Sequence, residues 1–175
     1  LLLVVGLFDD IYKLGVIERF FFQIIACLIV IGFGIKIIDI GDLLNFNLSL
    51  GSLGILLTFL CMIAFINAIN FIDGVDGLAG GIILNALLSI IYFSYFENSF
   101  INLDIVIMLV IALIIFLLAN FGILLPKIFL GDSGTMSLGF LVASLLIYYT
   151  HPDSRNFHPV LTIWCAAIPA YDLLS

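Results

Sequence analysis

The chain has 175 residues, 65% of them hydrophobic and 10% charged, with a formal net charge of −7 at pH 7 and a mean hydropathy of +1.39. That composition excludes a soluble domain with a polar surface and indicates an integral membrane protein. The acidic balance by itself would repel phosphate-bearing partners such as nucleic acid, yet the acids cluster in short connections where a bound divalent metal would reverse the local sign.

In chain order, the tail of one apolar helix occupies Leu1 to Phe8 and ends at Asp9-Asp10. Six apolar segments follow, at approximately Ile17 to Ile38, Leu50 to Ile69, Leu78 to Phe96, Leu103 to Leu125, Met136 to Thr150 and Pro159 to Leu174. Most are near the roughly 20 residues a helix needs to cross about 30 Å of hydrocarbon. The runs are continuous rather than alternating, so a membrane β-barrel is excluded and an all-α polytopic bundle is expected. Cys27, Cys61 and Cys165 each sit inside an apolar run without CxxC spacing and read as packing residues. The chain starts at Leu1, ends inside an apolar run and shows no signal peptide. It is expected to be one membrane-embedded domain, residues 1–175, incomplete at both ends.

Successive spans reverse direction, so connections alternate between the two membrane faces. Asp9-Asp10, Asp73 to Asp76 and Gly131-Asp132-Ser133-Gly134 fall on every second connection, which gathers five carboxylates on one face. The other face receives Asp39 to Asn47, Glu97 to Asn102 and His151 to His158, which read as ordinary solvated connections. Lys13, Arg19 and Lys127 lie on the acidic side against Lys36 and Arg155 on the other, a small bias toward a cytoplasmic site under the positive-inside rule.

Each acidic connection has a bland reading beside a chemical one. Asp9-Asp10 is either a solvated helix end or part of a site. In Asp73-Gly-Val-Asp76-Gly77, carboxylates three apart share a pocket, or an Asp caps the helix that begins at Leu78. Asp132 or Ser133 caps the following helix, or the glycines let backbone N–H groups approach an anion. An ionised Asp at mid-bilayer costs about 2.5–3.5 kcal/mol, so such groups are seldom incidental. Like charges about 4 Å apart repel by several kcal/mol at an effective dielectric near 20. A hard divalent cation relieves that repulsion, and Mg²⁺, held by one or two carboxylates plus substrate phosphates, fits best. Metal-dependent phosphate chemistry is the leading class.

Gly6-Leu-Phe-Asp-Asp10, Asn67-Ala-Ile-Asn-Phe-Ile-Asp-Gly-Val-Asp-Gly-Leu-Ala79 and Ile128-Phe-Leu-Gly-Asp-Ser-Gly134 resemble, in order, the motifs of the polyprenyl-phosphate N-acetylhexosamine-1-phosphate transferases, glycosyltransferase family 4. The resemblance covers essentially the whole chain and is strongest to the branch acting with undecaprenyl phosphate and N-acetylglucosamine at the start of cell-envelope polysaccharide synthesis. Phospho-N-acetylmuramoyl-pentapeptide transferase of peptidoglycan synthesis is the second branch. The resemblance implies that a polyprenyl phosphate attacks a UDP-N-acetylhexosamine at the cytoplasmic face of the bacterial inner membrane and releases UMP. It implies Mg²⁺, or Mn²⁺, with Asp132 as ligand and Asp9 and Asp10 beside the metal and the lipid phosphate. It places Asn70, Asp73 and Asp76 at the nucleotide and sugar-phosphate motif, and Phe129 where a ring stacks on uracil, although 17 phenylalanines make one aromatic near a site unremarkable. Asn120 resembles a family Asn or is a helix C-terminal Asn, and Arg19 meets a phosphate or anchors the helix at the interface. Asp172 matches a supporting position. A homodimer is compatible with the family.

The family's His-rich loop, which follows the Asp172 helix, is absent, so this stretch alone is expected to be inactive. An intramembrane prenyltransferase leaves the Gly131 to Gly134 turn unexplained, and an ion-coupled transporter puts its carboxylates near the midplane rather than at segment ends.

Overall fold

The computed structural model describes residues 1–43, 46–97, 99, 103–123, 126–152, 154–165, 167 and 171, with the side chains of 42, 43, 46–48, 163 and 164 outside the description. The order of elements is α1 (Leu2–Tyr12), α2 (Val16–Gly32), β1 (Asp39–Leu43), β2 (Phe46–Ser49), α3 (Leu53–Ile72), α4 (Leu78–Phe96), α5 (Asp104–Asn120), α6 (Gly131–Thr150) and α7 (Leu161–Cys165). The protein is a helical membrane protein. Among the described residues, α3, α4 and α6 are long and apolar enough to cross a bilayer, while α2 and α5 have 17 residues each.

The α4 bounds coincide with the expected segment. The others shift for local reasons. Helix α2 stops at Gly32, where a turn through Phe33 and Gly34 ends it before the predicted Ile38. At its start, Glu18 reaches back to accept a hydrogen bond from the Gly15 N–H, half of a capping box. Helix α6 begins at Gly131, so the Gly-Asp-Ser-Gly stretch forms its first turn and not a preceding loop. Likewise Asp9 and Asp10 belong to the last turn of α1. The sixth predicted segment is helical over α7, and Asp172 lies outside the described residues.

The connection from Asp39 to Asn47, expected to be an ordinary loop, is an antiparallel ribbon with Asp39 opposite Ser49 and a bulge before Asp42. Arg155 holds it from across the chain, its Nη2 donating to both Asp39 carboxylate oxygens at 2.7 and 2.8 Å. Ser99 donates to Asn156 Oδ1 at 3.2 Å. All three connections assigned to one face therefore meet at one end of the bundle, as the parity of the spans requires.

Helix α6 is the hub, packing on α1, α3 and α4, while α5 packs on α4 and α2 on α3. Small residues allow this proximity, as expected where helix association relies on close van der Waals contact rather than on a hydrophobic drive. A Cβ on Gly139 would meet the Ile66 Cα at 3.2 Å, and a Cβ on Gly6 would fall on the Ser133 Cα. Met62, Ile66, Ile69, Met136 and Val142 fill the α3–α6 seam and are fully buried. The outer side of α5 exposes Ile107, Met108, Ile111, Ile114 and Ile115, a surface suited to lipid.

Candidate functional site

The three acidic motifs converge at the other end of the bundle, around a polar cavity of about 340 Å³. Asp10, Asn70, Asp73, Asp76, Asn120, Phe129 and Asp132 line it, with Gly74, Val75, Leu130 and Gly131. Residues separated by more than a hundred positions are brought together because α1 and α3 pack on α6, and Asn120 at the end of α5 is hydrogen-bonded to Ile128 just before α6 begins.

Asp10 has a structural task that the sequence does not announce. Its Oδ1 accepts from the Asp132 N–H at 2.9 Å, and its Oδ2 from the Ser133 N–H at 3.3 Å. The first turn of α6 is thus capped by a carboxylate from α1, and neither Asp132 nor Ser133 caps it, contrary to the local reading. Free N–H groups and the positive end of the helix dipole favour an anion there. Gly131 makes the approach possible. Its φ of +68° is a left-handed conformation that side chains rarely adopt, and a Cβ would lie 3.3 Å from both Asp10 oxygens.

Asp9 is adjacent in sequence and differently placed. It is buried, and Arg19 Nη1 lies 3.1 Å from its Oδ2, a charge contact outside hydrogen-bond geometry. The same Arg19 nitrogen is 3.9 Å from Asp132 Oδ1. Arg19 and Asp9 therefore stand behind the cavity, linked to it through Asp132, and neither lines it.

Asp132 is held in place by α3. Asn70 Nδ2 donates to Asp132 Oδ1 at 2.7 Å and to Thr135 Oγ1 at 2.8 Å. Thr135, fully buried one turn into α6, is a member of this network that the motif reading missed. The signal was present as a hydroxyl three residues after Asp132, on the same helix face. Deeper in the membrane, Asn67 Nδ2 donates to Gln23 Oε1 at 2.9 Å and to the Ile63 carbonyl at 2.7 Å, tying α3 to α2 one turn below Arg19.

Asp73 follows the last turn of α3, half-buried. Burial first, and the nearby Asp132 carboxylate second, push its pKa above the ordinary 3.8. Asp76 is exposed and pairs with Lys127, whose Nζ donates to its Oδ2. Phe129 presents a ring that is 71% exposed. Asn120 is buried at the end of α5, its Nδ2 donating to the Ile128 carbonyl at 2.7 Å while its Oδ1 has no partner among the described residues. A buried carbonyl oxygen without a donor is costly unless a ligand completes it.

Four carboxylates on one small cavity, two of them close enough to raise a pKa, together with the orphan Asn120 oxygen, fit a hard divalent cation with oxygen ligands. Among the described residues no three His, Cys, Asp or Glu side chains are close enough to cage a metal by themselves.

Sequence comparisons give the chain's family. The model of glycosyl transferase family 4 matches residues 1–150. The undecaprenyl-phosphate alpha-N-acetylglucosaminyl 1-phosphate transferase of Haemophilus influenzae is 33% identical over 99% of this chain and 50% of its own length. The proteins of the same name from Pasteurella multocida and Escherichia coli K12 are 37% and 28% identical over 99% of this chain and 50% and 48% of their own lengths. The chain spans about half the length of the curated relatives it matches. Given the match of the family model over most of its length, the chain belongs to glycosyl transferase family 4.

Proposed function

We propose that this chain carries the catalytic face of a membrane enzyme that transfers N-acetylglucosamine 1-phosphate from a UDP-sugar to undecaprenyl or another polyprenyl phosphate, with release of UMP. The observation that carries the reading is the convergence of four carboxylates and two carboxamides from separate helix ends on one cavity at the end of an apolar bundle. The names of the relatives favour N-acetylglucosamine over N-acetylmuramoyl-pentapeptide as the sugar. The location we assign is the bacterial inner membrane with the cavity facing the cytoplasm, where UDP-sugars reside.

Phosphate chemistry at this site needs charge neutralisation and alignment more than a strong base. A lipid phosphate has a second pKa of about 6 and is largely ionised at neutral pH. Asp132 and Asp73 are the residues we assign to hold Mg²⁺ or Mn²⁺, with Asn120 Oδ1 as a neutral oxygen nearby. When bound, the cation supplies Lewis-acid neutralisation of diphosphate charge. Asn70 fixes the Asp132 oxygen that a cation would otherwise have to pull into position, and Arg19 adds positive charge behind it. Asp10 keeps α6 docked and borders the acceptor. Phe129 offers an aromatic ring for a base, and Asp76 a carboxylate for donor hydroxyl or N–H groups. Alignment of this kind, more than proton transfer, supplies the rate in phosphoryl transfer.

The test is transfer of labelled N-acetylglucosamine 1-phosphate from the UDP-sugar to undecaprenyl phosphate by the full-length protein, wild type against Asp132→Asn. Label in lipid that vanishes with EDTA and with the variant is the expected result. Folded protein that labels lipid from neither UDP-N-acetylglucosamine nor UDP-N-acetylmuramoyl-pentapeptide overturns the assignment.

A further inference from the structure

Lys127 lies outside the three motifs, and its position gives it a task. Its Nζ donates to Asp76 Oδ2 and stands 5.2 Å from the centroid of the Phe129 ring, so one ammonium joins two residues of the cavity lining. The two paired side chains are 47% and 43% exposed. An ion pair so open to water contributes little to the fold, and breaking it strands no buried charge. Two of the neighbouring charged groups are committed elsewhere. Asp10 is bound to the N–H groups of α6, and Arg19 faces the buried Asp9. Among the described residues, the Lys127–Asp76 pair joins a lysine to a cavity carboxylate with both partners open to exchange.

Resting on the transferase reading, we propose that Lys127 binds the donor by exchanging partners: it pairs with Asp76 before the nucleotide-sugar arrives and moves to the donor's diphosphate on loading. A diphosphate offers more charge on more oxygens than one carboxylate and so outcompetes Asp76 for the ammonium. A lysine suits such a move, being a compact charge on a flexible stem with three rotatable donors. Its departure frees the Asp76 carboxylate to accept hydrogen bonds from the donor. It also uncovers the Phe129 face beside which the ammonium stands. One exchange thereby couples recognition of phosphate to exposure of the groups suited to the rest of the nucleotide.

The experiment uses the full-length protein as wild type, Lys127→Gln, Lys127→Arg and the double variant Lys127→Gln with Asp76→Asn. Each substrate is varied in turn, and UDP and uridine serve as binding probes in calorimetry. Loss of one charge-assisted contact should raise KM for the UDP-sugar and Kd for UDP about tenfold in Lys127→Gln, with KM for polyprenyl phosphate nearly unchanged, uridine binding unchanged or tighter, and most of the loss regained in Lys127→Arg. The double variant should bind UDP no better than Lys127→Gln. Recovery of UDP binding in the double variant would mean that Lys127 merely neutralises Asp76, and the proposal falls. It falls equally if Lys127→Gln binds UDP as tightly as an active wild type. A wild type that neither transfers nor binds UDP defeats the transferase reading first, and this proposal with it.

Discussion

Replacing Gly6 with alanine tests whether the approach of α1 to α6 builds the site. A Cβ at Gly6 would lie 2.8 Å from the Ser133 N and nearer still to its Cα, whereas comfortable heavy-atom contact is about 3.5–4.0 Å. The helices must part by about 1 Å, an overpacking that costs about 1–3 kcal/mol. Asp10 is one turn further on the same face, and its 2.9 and 3.3 Å bonds to α6 would stretch beyond bonding range, removing a cap worth about 1 kcal/mol. Alanine's helix propensity returns about 1 kcal/mol. The net expectation is a loss of about 1–3 kcal/mol, or about 2–4 °C in Tm for each kcal/mol, measured by thermal unfolding in detergent. Transfer activity should fall about a hundredfold, since a 1 Å misplacement of reacting groups has that scale. Gly81→Ala is the control. Among the described residues nothing lies within 4 Å of a Cβ there, so the same substitution should be neutral or stabilising by up to about 1 kcal/mol. If Gly6→Ala matches Gly81→Ala in both Tm and turnover, the contact between α1 and α6 does not organise the site.

Three further outcomes follow from the geometry. Asp73 has a raised pKa in the fold, so the folded state holds its proton more tightly than the unfolded chain, and the associated stability is lost as pH rises from the ordinary 3.8 through the raised value. In metal-free buffer, the Tm difference between wild type and Asp73→Asn should therefore change across that window in the direction of a wild type losing ground with rising pH; a pH-independent difference would refute the shift. Asn70→Asp should lose more activity than Asn70→Ala at neutral pH, because it places a second carboxylate at the 2.7 Å contact with Asp132, and acidification should narrow the gap. Equal variants at every pH would remove Asn70 from the Asp132 network. Gln23→Leu deletes one interhelical bond while Asn67 keeps its bond to Ile63, so its thermal stability should fall by only about 0.6 kcal/mol, the average for such bonds in membranes; a loss above 2 kcal/mol would contradict this.

Much of the site was legible in one dimension. Parity of the spans put Asp10, Asp73, Asp76 and Asp132 on one end of the bundle, and the structure brings them to one cavity. The same rule put Asp39, Ser99 and Arg155 at the other end, where Asp39 binds Arg155 and Ser99 binds Asn156. What the pattern could not supply was the phase of each helix. Asp9 and Asp10 are neighbours, yet about 100° of helical rotation separates them. One is buried against Arg19 and the other caps α6. No local preference distinguishes them, because the distinction depends on which helices flank α1. The ribbon at Asp39 was missed for a related reason, since part of its anchoring comes from Arg155, a residue distant in sequence.

The sequence alone determined that the protein belongs in a membrane, that its segments are helices, and that its acids gather on one face. These follow from hydrophobicity and from the need to pair backbone groups within each span, both properties of short stretches read one at a time. Only the tertiary structure decided which carboxylate is a cap, which is buried in an ion pair, and which face open space beside Asn120 and Phe129. Those roles are set by the approach of α1 and α3 to α6, and that approach depends on small residues such as Gly6 and Gly139 meeting partners more than sixty positions away.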